Sequence, residues 1–184
     1  MRVEETALPD VRILHLRPHG DARGLFVETY DRALFARHGI AEEFVQDAVS
    51  RSSRPGVVRG LHFQAPPCAQ AKLVRATHGR IFDVVVDLRR GRPSFGRHMA
   101  IELVADDWRW LYIPAGFAHG FCALSADVEI AYKLSAPYSP DRQRGLLWND
   151  PALGIAWPTG GAEAILTERD KAWPTLKDLP AAFD

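Results

Sequence analysis

Lys72-Leu-Val-Arg-Ala-Thr77, a His78-Gly79 break and then Arg80-Ile-Phe-Asp-Val-Val-Val-Asp-Leu88 form the stretch on which the fold turns. In the second run Phe82, Val84, Val86 and Leu88 alternate with Asp83, Val85 and Asp87, the period-two pattern of a strand with one buried face. Similar runs lie on both sides. Val11–Leu16, Gly24–Thr29, Phe44–Ser50 and Val57–Gln64 precede it, and His98–Val104, Arg109–Ile113, His119–Leu124 and Val128–Leu134 follow. Turn signals separate them: Pro18-His-Gly, Arg54-Pro-Gly, Ala65-Pro-Pro, Arg90-Gly-Arg-Pro and Pro114-Ala-Gly. Many short strands at close spacing point to an all-β sandwich or barrel rather than a βαβ fold. A short helix is expected over Asp31–His38 and a second over Ala162–Trp173, after the β pattern fades beyond Pro137. With no repeat, low-complexity stretch or linker, residues 1–184 read as one domain with a helical tail from about 160.

The 184 residues, 47% of them hydrophobic, suffice for one substantial core. Lys plus Arg equals Asp plus Glu at 23 each, which argues against a nucleic-acid-binding chain and its strongly basic face. No stretch approaches the roughly 18 apolar residues of a membrane span. The charged start, Met1-Arg-Val-Glu-Glu-Thr6, shows no secretory signal, so a cytoplasmic location is expected. Cys68 and Cys122 fit no metal or redox spacing and read as free thiols.

Two segments resemble the paired motifs of cupin jelly-roll barrels. The first is Gly60-Leu-His-Phe-Gln64, running on through Lys72 to Gly79; the second is Pro114-Ala-Gly-Phe-Ala-His119. Metal-binding cupins place His-x-His and a carboxylate in the first motif and one more histidine in the second. Here Gln64 stands at the second histidine and Lys72 near the carboxylate. A divalent cation needs several converging imidazoles or carboxylates, and a lysine competes with it. No metal site is expected, and His62, Lys72 and His119 are left for acid/base and anion-binding work.

Several motifs then coincide. Gly56-Val-Val-Arg-Gly-Leu-His-Phe-Gln64, Ala71-Lys-Leu-Val-Arg75, Phe82–Arg90, Ile113-Pro-Ala-Gly-Phe-Ala-His-Gly-Phe121, Gly145-Leu-Leu-Trp-Asn-Asp-Pro151 and Arg23-Gly-Leu-Phe-Val-Glu28 keep one order over about residues 10 to 175. Together they resemble the dTDP-4-dehydrorhamnose 3,5-epimerases, cupin-type sugar-nucleotide epimerases. The resemblance implies His62 as general base paired with Asp170, Tyr132 as proton donor on the opposite sugar face, and Lys72 as the cation at the C4 ketone. It implies a pocket lined by Arg23, Glu28, Gln46, Arg59, His119, Gln143 and Arg169, with Phe26 and Tyr138 against the thymine. It also implies a dTDP-sugar substrate, no cofactor, and a homodimer whose N-terminal strands exchange. The chain departs from the family pattern at Ala48, Gln143, Arg169 and Ala136-Pro137, all near the nucleotide-sugar pocket.

The residue types suit the chemistry. A proton next to a ketone is weakly acidic, so its removal needs a base and a charge at the developing enolate oxygen. Histidine titrates near working pH, and a tyrosine stays protonated to return the proton. By alternation alone, Tyr132 would be a core aromatic beside Val128, Ile130 and Leu134. His15, His19, His38, His78 and His98 carry no such motif and read as structural. Strict alternation also puts Arg59 and His62 on opposite faces, unless Gly60 permits a bulge. Three other readings remain open: a related epimerase that inverts only C3 or C5 or uses another nucleotide, a metal-dependent cupin enzyme, and a non-catalytic sugar- or nucleotide-binding cupin.

Overall fold

A computed structural model describes residues 1–159, 161 and 163–184. The strands are β1 (Arg2–Glu5), β2 (Arg12–His15), β3 (His19–Asp21), β4 (Gly24–Phe26), β5 (Gln46–Ser52), β6 (Val58–Gln64) and β7 (Lys72–His78). They continue with β8 (Arg80–Asp87), β9 (His98–Val104), β10 (Arg109–Ile113), β11 (Phe117–Ala123), β12 (Val128–Leu134) and β13 (Gln143–Gly145). Two short α-helices, α1 (Arg32–Arg37) and α2 (Glu168–Lys171), and 3₁₀ turns at Ala105–Asp107 and Pro140–Arg142 complete the regular structure among the described residues. All strand pairs are antiparallel: a six-stranded sheet β1-β2-β10-β7-β12-β5 faces a five-stranded sheet β13-β6-β11-β8-β9, and β3–β4 form a separate hairpin. This is the all-β jelly-roll barrel expected. No helix among the described residues is long and apolar enough to cross a membrane.

Three apolar layers hold the sheets. Val74, Ile81, Val85, Leu111, Phe121 and Ile130 meet inside the barrel. On the outer face of the six-stranded sheet, Leu14, Leu73, Trp110 and Tyr112 pack under Phe35 and Ile40. The Asp31 carboxylate caps α1 by accepting from the Leu34 amide at 2.9 Å, which seats Phe35 there.

Strand β8 departs from the one-faced pattern. Phe82, Val84, Val86 and Leu88 are covered by Leu153, Trp157, Leu176 and Leu179 from the C-terminal segment, while Ile81 and Val85 point into the barrel. Asp83 and Asp87 are fully buried as well. The reason is that the C-terminal segment forms a third layer over the five-stranded sheet.

That segment is not a helical tail. Of the helix expected over Ala162–Trp173, Ala162 lies outside the described residues, and only the single turn α2 forms in the remainder. Ile165 is drawn instead into a bridge beside Val57, through Val58 N–H to Ile165 O and Ile165 N–H to Gly56 O, each 2.9 Å. Thr167 then caps one turn, and Pro174 disfavours helical backbone at Trp173.

Gly60 does create the bulge. His119 pairs with His62 and Phe121 with Arg59, so three steps along β6 oppose two along β11. Gly60 adopts φ +143°, and a Cβ there would lie 2.6 Å from Gly120 Cα. Arg59 and His62 both turn inward as a result.

Candidate active site

The inward positions of five strands enclose a cavity of about 490 Å³, lined among others by Arg59, His62, Lys72, His119 and Tyr132. Its size suits a small organic ligand. β6 and β11 belong to one sheet and β7 and β12 to the other, so His62 and His119 face Lys72 and Tyr132 across the barrel.

His62 is held by a carboxylate from outside the sheets. Its Nε2 donates to Asp170 Oδ1 at 2.7 Å, which leaves Nδ1 as the basic ring nitrogen of the neutral form. The Trp173 indole N–H donates to the same oxygen at 3.2 Å. Burial would raise the Asp170 carboxyl, but the hydrogen bond and charge of His62, with Trp173, hold it below the ordinary carboxylate range. Asp170 therefore stays ionised and orients the imidazole.

On the opposite wall Lys72 is buried, and its Nζ donates to the His62 carbonyl oxygen at 3.2 Å. Burial pushes its pKa down to about 8, against the opposing pull of Asp83. Tyr132 is pushed the other way, by burial first and then by the negative charge of Asp83, so its phenol stays protonated throughout the physiological range. The His119 ring lies 6.2 Å from that of Tyr132, edge to face. His119 Nε2 donates to both oxygens of Asp83, at 3.0 and 2.9 Å.

The mouth of the cavity is polar. Gln143 Oε1 accepts from the Tyr138 hydroxyl at 2.6 Å and from the Arg169 guanidinium at 3.1 Å, tying three expected site residues together. Gln46 is not a lining residue. It stands behind the rim, where its side-chain oxygen accepts from the Tyr138 amide at 2.7 Å. Gln64, at the second histidine of the metal motif, clamps two loops: its amide donates to the carbonyls of Cys68 (2.7 Å) and Pro137 (3.2 Å) and accepts from Ser139 N–H (2.7 Å). Among the described residues no three His, Cys, Asp or Glu side chains converge as a metal-ligand group.

Three expected pocket residues do not reach this cavity. Arg23 and Phe26 lie on the β3–β4 hairpin beside a separate shallow cleft, and Glu28 is exposed just beyond it. The hairpin pairs only with itself and projects from the barrel, with Arg23 held by Asp21 and Phe26 66% exposed. Conversely, Asp83, Gln70 and Trp173 were not singled out as site residues. For Asp83 a signal existed: it sits in β8 on the face opposite Val84 and Val86, and a buried carboxylate needs a partner.

The dTDP-4-dehydrorhamnose 3,5-epimerase family profile matches residues 5–178. The chain belongs to the dTDP-4-dehydrorhamnose 3,5-epimerase family. The enzyme of that name from Pseudomonas aeruginosa is 46% identical over 179 residues, 97% of both chains. Among solved epimerases, the Bacillus anthracis enzyme with TDP and pyrophosphate bound is 43% identical with a TM-score of 0.91, over 95% of this chain and 98% of that one. The Legionella pneumophila dTDP-6-deoxy-D-glucose-3,5-epimerase, in complex with dTDP-4-keto-L-rhamnose, is 38% identical with a TM-score of 0.93, over 98% and 95%. An epimerase barrel is thus the frame in which the His62, Lys72 and Tyr132 cavity stands.

Proposed function

We propose that this chain inverts C3 and C5 of dTDP-4-dehydro-6-deoxy-D-glucose, on the route to dTDP-L-rhamnose. One observation carries the reading: an imidazole oriented by a buried carboxylate faces a buried ammonium and a protonated phenol across one cavity. His62 Nδ1 takes the proton from the carbon next to the C4 ketone. The Lys72 ammonium donates to the ketone oxygen and stabilises the enolate as negative charge moves onto it. Tyr132 returns a proton from the other side, and what supports this role is that His62 and Tyr132 rise from opposite sheets. Once His62 has released its proton to water and Tyr132 has regained one from water, the same steps at the second carbon complete a double inversion. A positioned base and a preorganised cation each contribute roughly 10²–10⁴-fold in such reactions. Arg59, His119, Tyr138, Gln143 and Arg169 bind the nucleotide and sugar, with Gln46 supporting Tyr138. The enzyme needs no cofactor, works as one domain in the cytoplasm, and forms a homodimer that exchanges N-terminal strands. Arg23, Phe26 and Glu28 then complete the site of the second copy.

Turnover in deuterated water tests the reaction. NMR of the product should show deuterium at both C3 and C5, and His62→Ala should lower exchange at both by at least about 10²-fold. Label at one carbon alone would make this a single-position epimerase. Label at neither would end the epimerase reading.

A further inference from the structure

Asp83 lies outside every role assigned above, yet it is a carboxylate with no exposed surface, and it stands behind His119, a residue of the cavity wall. Its hydrogen-bond partner among the described residues is His119, which is itself buried. On the opposite wall the Lys72 ammonium has, among the described residues, one hydrogen bond, to a neutral carbonyl. The lysine ion pairs among the described residues belong to Lys133 and Lys171. One buried charge therefore lines the cavity, and another of opposite sign stands behind its wall without touching the first. Each alone would be costly to keep out of water, and each lowers that cost for the other.

We propose that Asp83 is a positioning residue of the epimerisation: its carboxylate fixes the His119 ring and is the counter-charge that lets an ammonium at Lys72 stand beside the substrate ketone. The inference rests on the epimerase reading and deepens it. The carboxylate that does line the cavity, Asp170, is committed to His62 and Trp173. Of the two, it is Asp83 whose field acts on Lys72, drawing its pKa back up against burial. The remaining titratable groups facing this space are His62, Arg59, His119, Tyr132, Tyr138 and Arg169. They add no negative charge at neutral pH. With Asp83 neutral, the lysine would release its proton at lower pH, and the enolate would lose its stabilising cation while His62 kept its own carboxylate.

The test uses the full-length protein without substrate first. Asp83→Asn keeps the shape and an acceptor for His119 but removes the charge. Titration of the Lys72 side-chain signals by NMR should show its midpoint moving down by about one pH unit. An unmoved midpoint would overturn the proposal, whatever the protein's activity proves to be. In turnover, Asp83→Asn should lower kcat at pH 7.5 by about 10–10²-fold, shift the alkaline limb of the kcat profile down by the same interval, and leave dTDP affinity within about threefold. The loss should nearly vanish when Lys72 is already Met, because the two act as a unit. Equal losses in both backgrounds would mean that Asp83 acts through packing alone. Should Asp83→Asn fail to fold, Asp83→Ser also removes the charge, and an unmoved Lys72 midpoint in that variant would reject the coupling. A wild type that exchanges no deuterium defeats the epimerase reading and leaves the charge coupling to be judged by the titrations.

Discussion

Lys72 carries two opposed demands. In the proposed role as the cation at the enolate it must be charged, yet it is buried, and burial lowers its pKa from 10.5 to about 8. Below about pH 8 the ammonium is charged in both folded and unfolded chains, and the cost of burying that charge is present in full. Between about 8 and 10.5 the folded protein binds fewer protons than the unfolded chain, so stability rises with pH across that window. Lys72→Met removes the buried charge at similar length. It should raise the stability of the folded chain at pH 7 by roughly 1–3 kcal/mol while lowering kcat by at least about 10²-fold. Urea unfolding at pH 7 and at pH 10 checks this, because the gain should shrink at the higher pH. A destabilised Met variant would show that Lys72 supports the fold through its contacts. The opposite sign holds for Asp170. Its depressed pKa contributes stability above the ordinary carboxylate value, and that contribution is lost as pH falls through the folded pKa.

At the level of the element, β6 decides whether the site exists. Its bulge brings Arg59 and His62 to one face, and the backbones of Gly60 and Gly120 pass within reach of a single added Cβ. Gly60→Ala adds both a strained φ and a clash with neighbouring backbone, where nothing flexible can yield. The expected cost is about 2–5 kcal/mol. The surviving folded protein should also lose activity beyond what stability explains, because Arg59 and His62 would separate. Thermal unfolding alongside kcat measured on the folded fraction distinguishes the two effects. The same strand shows what a linear sequence discloses. Its apolar residues and glycine signal a strand with an irregularity, and the expectation that Gly60 reconciles Arg59 with His62 was legible. The alternation in β8 was legible too, but the burial of both its faces was not. The layer covering Phe82 and Val84 comes from Leu153 to Leu179, some 70 or more residues away, in a segment with no regular period to announce it. The helix expected there failed for a related reason: Ile165 finds its partner in Val57, and a long-range bridge overrides local propensity. His62, Lys72 and Tyr132 could be named from motifs, whereas the Asp83–His119 contact spans 36 residues and appears only once β8 and β11 are paired.

The whole molecule is read most directly from what the barrel leaves outside. The β3–β4 hairpin projects with Leu25 and Phe26 mostly exposed, and Val49 on β5 is 63% exposed. On the outer face of the six-stranded sheet, Arg75 stacks against Trp108 and Trp110, and its buried Nε and one terminal nitrogen have no partner among the described residues. Apolar side chains held in water and a half-satisfied guanidinium on one sheet face fit a surface that a second copy covers. In the proposed homodimer the hairpin of one copy delivers Arg23, Phe26 and Glu28 to the cavity of the other, which resolves why these three do not reach their own. Mixing two inactive variants tests that geometry. A His62→Ala chain retains an intact hairpin, and an Arg23→Ala/Phe26→Ala chain retains an intact cavity. When the two are co-refolded in equal amounts, half of the dimers are mixed, and each mixed dimer has one complete site, so activity should recover to about a quarter of the wild-type value. If each hairpin serves its own cavity, no mixed dimer contains a complete site and the mixture stays as inactive as its parents. A wild-type chain that sediments as a monomer at micromolar concentration, while turning over substrate, would dispose of the shared site altogether.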